Sequence, residues 1–480
     1  MAEFWHISTD VIVIGSGAAG LSAAIEARQA GAAVMVFEKM PVIGGNTRIS
    51  DGGLSAPGNF MQKRLGITDS PRMFYDDIMR AGLGLNHPEL VKIFTQNASD
   101  AIDWTRQLGV QYQDRVDKFG GHCAARCVTI QNNAGRDIIK AQIRRLDQMQ
   151  VSVHTRHALE DLITDDSGTV IGVRIRSRSR DSGPDLSSGP DQDSGPAADA
   201  NQTMVQHIRA RRAVVLATGG FGSDVAFRSC QNPRLDTTIL TTNHKGATAE
   251  GLVAALHIHA MPVHLSWIQL GPWGCADEAG YGKGSRFASY SIFPTGILVN
   301  PATGNRIVNE WADRRQRSDA MLATGHVCAG IVDAKGAQKD PDSLAHCLKT
   351  QKTRQFDSLT RLAEAWQMPS DALEKTVSEY NHLVRTGKKD PFGKLPHKNA
   401  GPIDSPPFYA MGLWPKVHYT PGGLQINENA QVIDLNHRPI GHLFAAGEVT
   451  GGIHGAGRLG GCALPECIVF GRIAGQQAAI

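Results

Sequence analysis

None of the eight cysteines in this 480-residue chain falls in a CxxC or CxxCH pattern. That absence removes covalent haem attachment and a vicinal redox pair. Cys123 and Cys127 stand four apart with no second pair, a poor set for a zinc knuckle, and no ferredoxin-type cysteine run occurs. The cysteines read as scattered reduced thiols, and no metal site is expected. No apolar run approaches the roughly 18 residues needed to span a membrane. Charge of one sign is missing too: Lys+Arg 49 against Asp+Glu 46 leaves +3, which excludes a strongly basic nucleic-acid binder. With 41% hydrophobic residues and no Gly-X-Y period, a disordered or collagen-like chain is excluded. Residues 1–9 carry no secretion signal. The expectation is a cytoplasmic chain, or a periplasmic one whose leader has been removed.

Glycine is what the chain has in plenty: 52 residues, above the usual share of roughly 7%. Glycine weakens helix and strand interiors, so an excess belongs where backbone passes close to something. Nine glycines fall between Gly15 and Gly58 and nine between Gly441 and Gly471. A chain this long divides into two or more domains. Five of the seven tryptophans (Trp267, Trp273, Trp311, Trp366, Trp414) lie between Ser266 and Thr420. The early and late glycine-rich stretches therefore read as two parts of one domain with a second domain inserted.

Residues 9–14 (TDVIVI) read as a buried strand, 21–30 as a small-residue helix ended by Gly31, and 33–37 (AVMVF) as a second buried strand. This is a βαβ unit. Helical patterns follow at 89–108 and 136–148, and strand patterns at 151–156, 170–176 and 212–220. The stretch 177–205 repeats SGP three times with few large apolar residues and reads as a flexible surface loop between two strands.

Between the first strand and helix stands Gly15-Ser16-Gly17-Ala18-Ala19-Gly20. A GxGxxG turn here aims backbone N–H groups at a pyrophosphate. Gly15 makes the turn, Gly17 admits the phosphate, and Gly20 lets helix and strand pack closely. Glu38, 18 residues past Gly20 at the end of the second strand, suits ribose hydroxyls. The motif does not choose between NAD and FAD.

The remaining motifs do. Gly44-Gly45-Asn46-Thr47, Asp51-Gly52-Gly53, Ala217-Thr218-Gly219-Gly220 and the closing LFAAGEVTGGIHGAGRLGGCAL resemble the FAD-containing fumarate reductase/succinate dehydrogenase flavoproteins. The nearest pattern is the soluble branch of flavocytochrome c fumarate reductases and 2-enoate reductases. The resemblance implies an α/β fold: a Rossmann-type, glutathione-reductase-like FAD domain from residues 1–265 and 421–480, with an inserted α+β capping domain over 266–420. It implies FAD contacts from Gly15, Gly17, Ala18, Ala19, Gly20, Glu38, Lys39, Gly45, Asn46, Thr47, Gly52, Gly53, Ala158, Ala217, Thr218, Gly219, Glu250, Glu448, Arg458, Ala463 and Leu464. Membrane-bound relatives attach FAD through a histidine just after the glycine pair. Asn46 stands at that position, so the expected FAD is non-covalent.

The same resemblance implies three residues in the chemistry. Arg458 in GAGRLGG and His418 in VHYTPGG match the pair that grips a substrate carboxylate; an arginine fork suits a carboxylate bidentately. Arg314 in NEWADRR matches the arginine that protonates the α-carbon after hydride arrives at the β-carbon. An isolated arginine is too basic to give up a proton readily, so the residue type alone assigns Arg314 to charge stabilisation.

Two departures from the family pattern narrow the substrate. The histidine of IQxHP, which holds the second carboxylate of fumarate, is replaced by Gly271 in Trp267-Ile268-Gln269-Leu270-Gly271-Pro272. The Thr-Glu pair and following arginine, which clamp that carboxylate and feed protons, align with Phe287-Ala288-Ser289-Tyr290-Ser291-Ile292-Phe293, where neither acid nor base remains. Tyr290 is a candidate replacement conduit, and Phe287, Tyr290, Phe293 and the tryptophans are candidate pocket walls. The expected activity is FAD-dependent reduction of the C=C bond of a small unsaturated carboxylate, a monocarboxylate before fumarate. The alternatives are a fumarate reductase and a ketosteroid-dehydrogenase-like desaturase. Electrons must come from an external donor such as a cytochrome c or reduced flavin.

Overall fold

A computed structural model describes residues 5–178, 203–394 and 400–480. The SGP repeats lie outside the described residues. Their flanks are two paired antiparallel strands, Val170–Arg178 and Thr203–Leu216.

One sheet of eight strands carries the dinucleotide motif. Strands Ile7–Ile14, Val34–Glu38, Val153–Thr155, Thr203–Leu216 and Pro439–Ala445 run parallel, with Ile14 opposite Phe37 and Leu216, and Leu216 opposite Ala445. Their carboxyl ends therefore finish at one level, where an open α/β sheet places its ligand. The strand cores VIVI and VVL are wholly buried, as continuous apolar runs in a parallel sheet should be.

Two strand readings change. The expected strand at 212–220 starts at Thr203 and stops at Leu216, so the ATGG segment is the loop beyond it. Residues 204–207 of its upstream half are exposed or half-buried and 208–211 alternate buried and exposed, a partly covered strand hidden beside a polar segment. The pattern at 151–156 is two strands, Val153–Thr155 and His157–Thr164, split by Arg156 at φ +62°.

Some of the late glycines serve protein packing. The last helix, Ala463–Ala478, crosses the first, Ala18–Gln29, with Gly471 and Gly475 against the backbone of Ala19 and Ala23. A β-carbon at Gly471 would lie 2.4 Å from Ala19 O, and one at Gly475 2.2 Å from Ala23 O. Gly451 and Gly460 likewise abut Val263 and Phe119. Both glycine-rich stretches match motifs that wrap FAD, so their excess is expected at close approach to it; Gly471, with Gly475 four residues on, instead brings two helices together.

A second, antiparallel sheet of five strands takes all its members from between Ile297 and Leu413. Around it lie the helices Arg314–Thr324, Pro341–Lys349, Leu359–Trp366 and Ser370–Thr386. Two apolar clusters fill this region, one on Phe287, Phe293 and Met411, the other on Leu373, Val377 and Tyr380. Between the two sheets, the short strands Gln269–Gly271 and Lys416–Tyr419 pair antiparallel. No helix among the described residues is long and apolar enough to cross a membrane.

Candidate active site

The carboxyl ends of the parallel strands open onto a cleft of about 930 Å³, its mouth included. Gly15, Gly17, Ala18, Ala19, Glu38, Lys39, Gly45, Asn46, Thr47, Ala158, Ala217, Thr218, Gly219, Glu250 and Glu448 line it. Gly20, Gly52, Gly53, Ala463, Leu464 and Arg458 lie off its wall. Ser16, His157, Arg176, His244 and Cys467 also line it; no sequence signal singled them out, because each reaches the cleft from outside the glycine motif or as its variable position.

The three motif glycines differ in what demands them. Gly15 has φ +104°, and a β-carbon there would meet Ala217 O at 2.3 Å. A β-carbon on Gly20 would meet Gly15 O at 2.0 Å, so this glycine holds helix against strand. At Gly17 a β-carbon would meet only Thr47 Oγ1, at 3.8 Å. Protein packing does not require glycine there, and the space in front of the helix N-terminus suits a phosphate. Glu38 Oε2 accepts from Ser16 N at 3.1 Å and Ser16 Oγ at 2.6 Å, and Oε1 from Met40 N at 2.8 Å. Lys39 pairs with Glu250 at 2.5 Å. These residues fit a dinucleotide with a phosphate at Gly17 and a ribose at Glu38.

At its inner end the cleft reaches Asn46 and Glu448. Asn46 bonds Asn243 and accepts from His244 N at 3.0 Å. Glu448 Oε1 accepts from Thr420 N at 3.0 Å, and burial pushes its pKa up.

Beyond that end, His418, Arg458 and Arg314 gather. Arg458 Nη2 stands 3.3 Å from His418 Nε2, and His418 Nδ1 is 2.8 Å from Thr242 Oγ1. Arginine only donates, so Nε2 must accept, and the ring proton sits on Nδ1 and is donated to Thr242. Burial, then the charges of Arg314 and Arg458, hold the His418 pKa well below the ordinary value, consistent with a neutral ring. Gln269 joins the two arginines: Arg314 Nη1 donates to its Oε1 at 3.3 Å, and its Nε2 donates to Arg458 O at 2.9 Å. The Arg458 guanidinium lies 4.3 Å from the Tyr419 ring centroid, and that of Arg314 lies 4.6 Å from Trp273.

Among the described residues neither Arg314 nor Arg458 forms an ion pair with an acidic side chain. Burial first, then repulsion from Arg458 and Arg317, lowers the Arg314 pKa well below that of a free arginine. The neighbouring Arg317 falls to about 10 for the same first reason. This bears on the conflict between a basic guanidinium and a proton donor: a lowered pKa makes proton release less costly.

Gly271 and Tyr290 part company. Gly271 lies beside His418, since a β-carbon there would be 3.4 Å from His418 Cβ. Tyr290 sits apart from the His418 cluster, under the Arg286 guanidinium at 4.7 Å. Arg286 reaches Asp51 at 3.3 Å and Asp340 at 3.2 Å, and Tyr281 Oη donates to Asp51 at 2.7 Å. The stretch 287–293 thus lies next to a base, Arg286, that immediately precedes it and to acids, Asp51 and Asp340, that come from elsewhere in the chain. Thr242 and Trp273 carried no motif of their own, and Gln269 and Asp51 stood in quoted motifs without being singled out; only folding brings these side chains to their partners.

These two neighbouring sites define a flavoprotein. The family described as FAD binding domain matches residues 10–464, and the chain belongs to it. The chain is 38% identical over 479 residues to the acrylate reductase flavoprotein subunit of Shewanella woodyi, covering 98% of this chain and 91% of that one. It is 32% identical to a fumarate reductase (cytochrome) of Shewanella frigidimarina, covering 100% of this chain and 78% of the relative. Its fold is similar to the open conformation of a flavocytochrome c3 fumarate reductase, with a TM-score of 0.75 at 30% identity, covering 99% of this chain and 78% of that chain.

Proposed function

We propose that this chain is an FAD-dependent oxidoreductase that reduces the C=C bond of an α,β-unsaturated carboxylate, preferring a small monocarboxylate to fumarate. The observation that carries this is the set of two arginines and a neutral histidine, without an acidic ion-pair partner among the described residues, joined to the dinucleotide cleft through Asn243, which bonds Asn46 on the cleft wall and donates to His418 O at 3.4 Å. Bound FAD, once reduced, supplies a hydride equivalent to the β-carbon. Arg458 takes the substrate carboxylate with its fork, and His418, held by Thr242, lies beside that fork. The Arg458 charge stabilises the negative charge that gathers on the carboxylate as the double bond is reduced, and His418, accepting from Nη2, orients the fork. Arg314 gives its proton to the α-carbon, aided by the lowered pKa of its crowded position.

Residues 266–420 act as a cap that carries Arg314 and Gln269 against Arg458 and excludes water. Asn46, already engaged with Asn243 and His244, supports a non-covalent flavin. The preference for a monocarboxylate rests on Gly271, which offers no donor for a second carboxylate; an unpaired anion buried there would be costly. Similarity to an acrylate reductase subunit supports the same reading. Electrons enter from an external protein or diffusible donor.

The test is a panel of acrylate, cinnamate and fumarate with reduced viologen on the FAD-loaded protein. Acrylate turnover above both fumarate and the bulkier cinnamate is expected. In parallel, Arg314→Ala should keep its FAD and lose turnover; near-normal activity removes Arg314 from the mechanism.

A further inference from the structure

Trp273 belongs to no motif and touches the two residues given most of the chemistry. Its ring lies 5.1 Å from that of His418, edge to face at 82°. The Arg314 guanidinium lies 4.6 Å from the same indole. Trp273 is only 7% exposed, and its Nε1 finds no hydrogen-bond partner among the described residues. A buried indole N–H normally finds one.

The decisive contact is with Gly271. A β-carbon at that position would lie 3.1 Å from both Cε2 and Cζ2 of the indole. Indole and glycine are therefore a matched pair: the ring fills the volume that any side chain at 271 would need. It brings no positive charge into that volume.

We propose that Trp273 is the specificity-determining residue of the site. Its indole walls off the end of the pocket away from Arg458, leaving room for a short 2-enoate with a compact, uncharged β-end. It also holds Arg314 against its face, so the wall and the placing of the proton donor are one device. The inference rests on the carboxylate-reductase reading and names the residue that selects within that substrate class.

The experiment compares wild type with Trp273→Ala and Trp273→Phe, each FAD-loaded and matched in melting temperature. Turnover of acrylate, crotonate and fumarate is read with reduced viologen. Trp273→Ala should lower kcat/KM for acrylate and raise the crotonate-to-acrylate or fumarate-to-acrylate ratio at least about tenfold, the scale of pocket-filling discrimination. Trp273→Phe should shift these ratios less. Unchanged ratios in a folded, FAD-loaded Trp273→Ala overturn the proposal; if that variant does not fold, unchanged ratios in Trp273→Phe do so. Binding of the unreactive acids propionate and succinate to the oxidised protein separates the two readings. A wild type that reduces no enoate sinks the reductase reading. A succinate-to-propionate preference raised by Trp273→Ala still upholds the wall, and an unmoved preference removes it.

Discussion

The dinucleotide cleft and the proposed carboxylate site adjoin, yet they are built in opposite ways. The cleft takes its shape from backbone: a glycine turn, a helix start and five parallel strand ends at one level. The carboxylate site takes its shape from side chains contributed by Thr242, Gln269, Trp273, Arg314, His418 and Arg458, each on a different turn or element. A backbone site is specified by short local strings, because few residues permit the required φ and the required approach. A side-chain site is specified by tertiary placement, so any one exchange retunes its ligand while the neighbouring cofactor cleft stays as it is.

Substitutions can break that contrast. Arg458→Ala is expected to have the largest effect on turnover, on the order of 10²–10³ in kcat/KM, with FAD content unchanged by absorbance. Loss of flavin in parallel would mean that the two sites are not separable. Gly20→Val attacks the other side. With Gly15 O at 2.0 Å from the new β-carbon, strand and helix must separate, and the protein should purify with little FAD and a lower melting temperature. Full flavin content would show that the helix start tolerates displacement.

Thr242→Val sharpens the comparison at intermediate size. Removing the acceptor of the Nδ1 proton frees the His418 tautomer, and kcat/KM should fall about tenfold, the loss of one buried hydrogen bond to a catalytic ring. Steady-state kinetics with the preferred enoate measures it; an unchanged value would leave His418 oriented by packing alone.

Glu466, at the start of the last helix, tests the wall between the two regions by pH. Burial raises its pKa from 4.5 to about 8. A raised acid contributes stability that is full below its unfolded pKa and is lost as pH rises toward the folded one. Urea unfolding should therefore show stability declining between about pH 4.5 and 8, and Glu466→Gln should flatten that slope. An equal slope in the variant assigns the decline to other groups. The smallest effect is expected from Tyr290→Phe, which lies with Arg286 outside the carboxylate cluster. It should change kcat by less than about twofold while removing about 1 kcal/mol of stability. A large drop in kcat would instead make Tyr290 part of the proton path.

Much of the cleft was legible from residues 15–20, 38, 44–47 and 217–219, because strand, turn and helix follow one another there. The late glycines were harder to apportion. Gly471, Gly475 and Gly447 look alike in sequence and all three abut the first helix, yet only Gly447 also lines the cleft. Arg314, His418 and Arg458 were legible only through family motifs; nothing in their spacing puts them together. Tyr290 shows the limit of alignment. It lies in the aligned stretch, but its side chain joins Asp51 and Arg286, which an alignment of that stretch does not contain.

By itself the sequence determined that this chain wraps a flavin dinucleotide, since glycine permissiveness and strand periodicity act over a few residues. It also determined that position 271 has no donor. Only the tertiary structure decided what stands there instead. The indole of Trp273 occupies that volume because two short strands and the helix starting at Arg314 converge on it, and packing of that kind depends on distances between segments that the order of residues does not state.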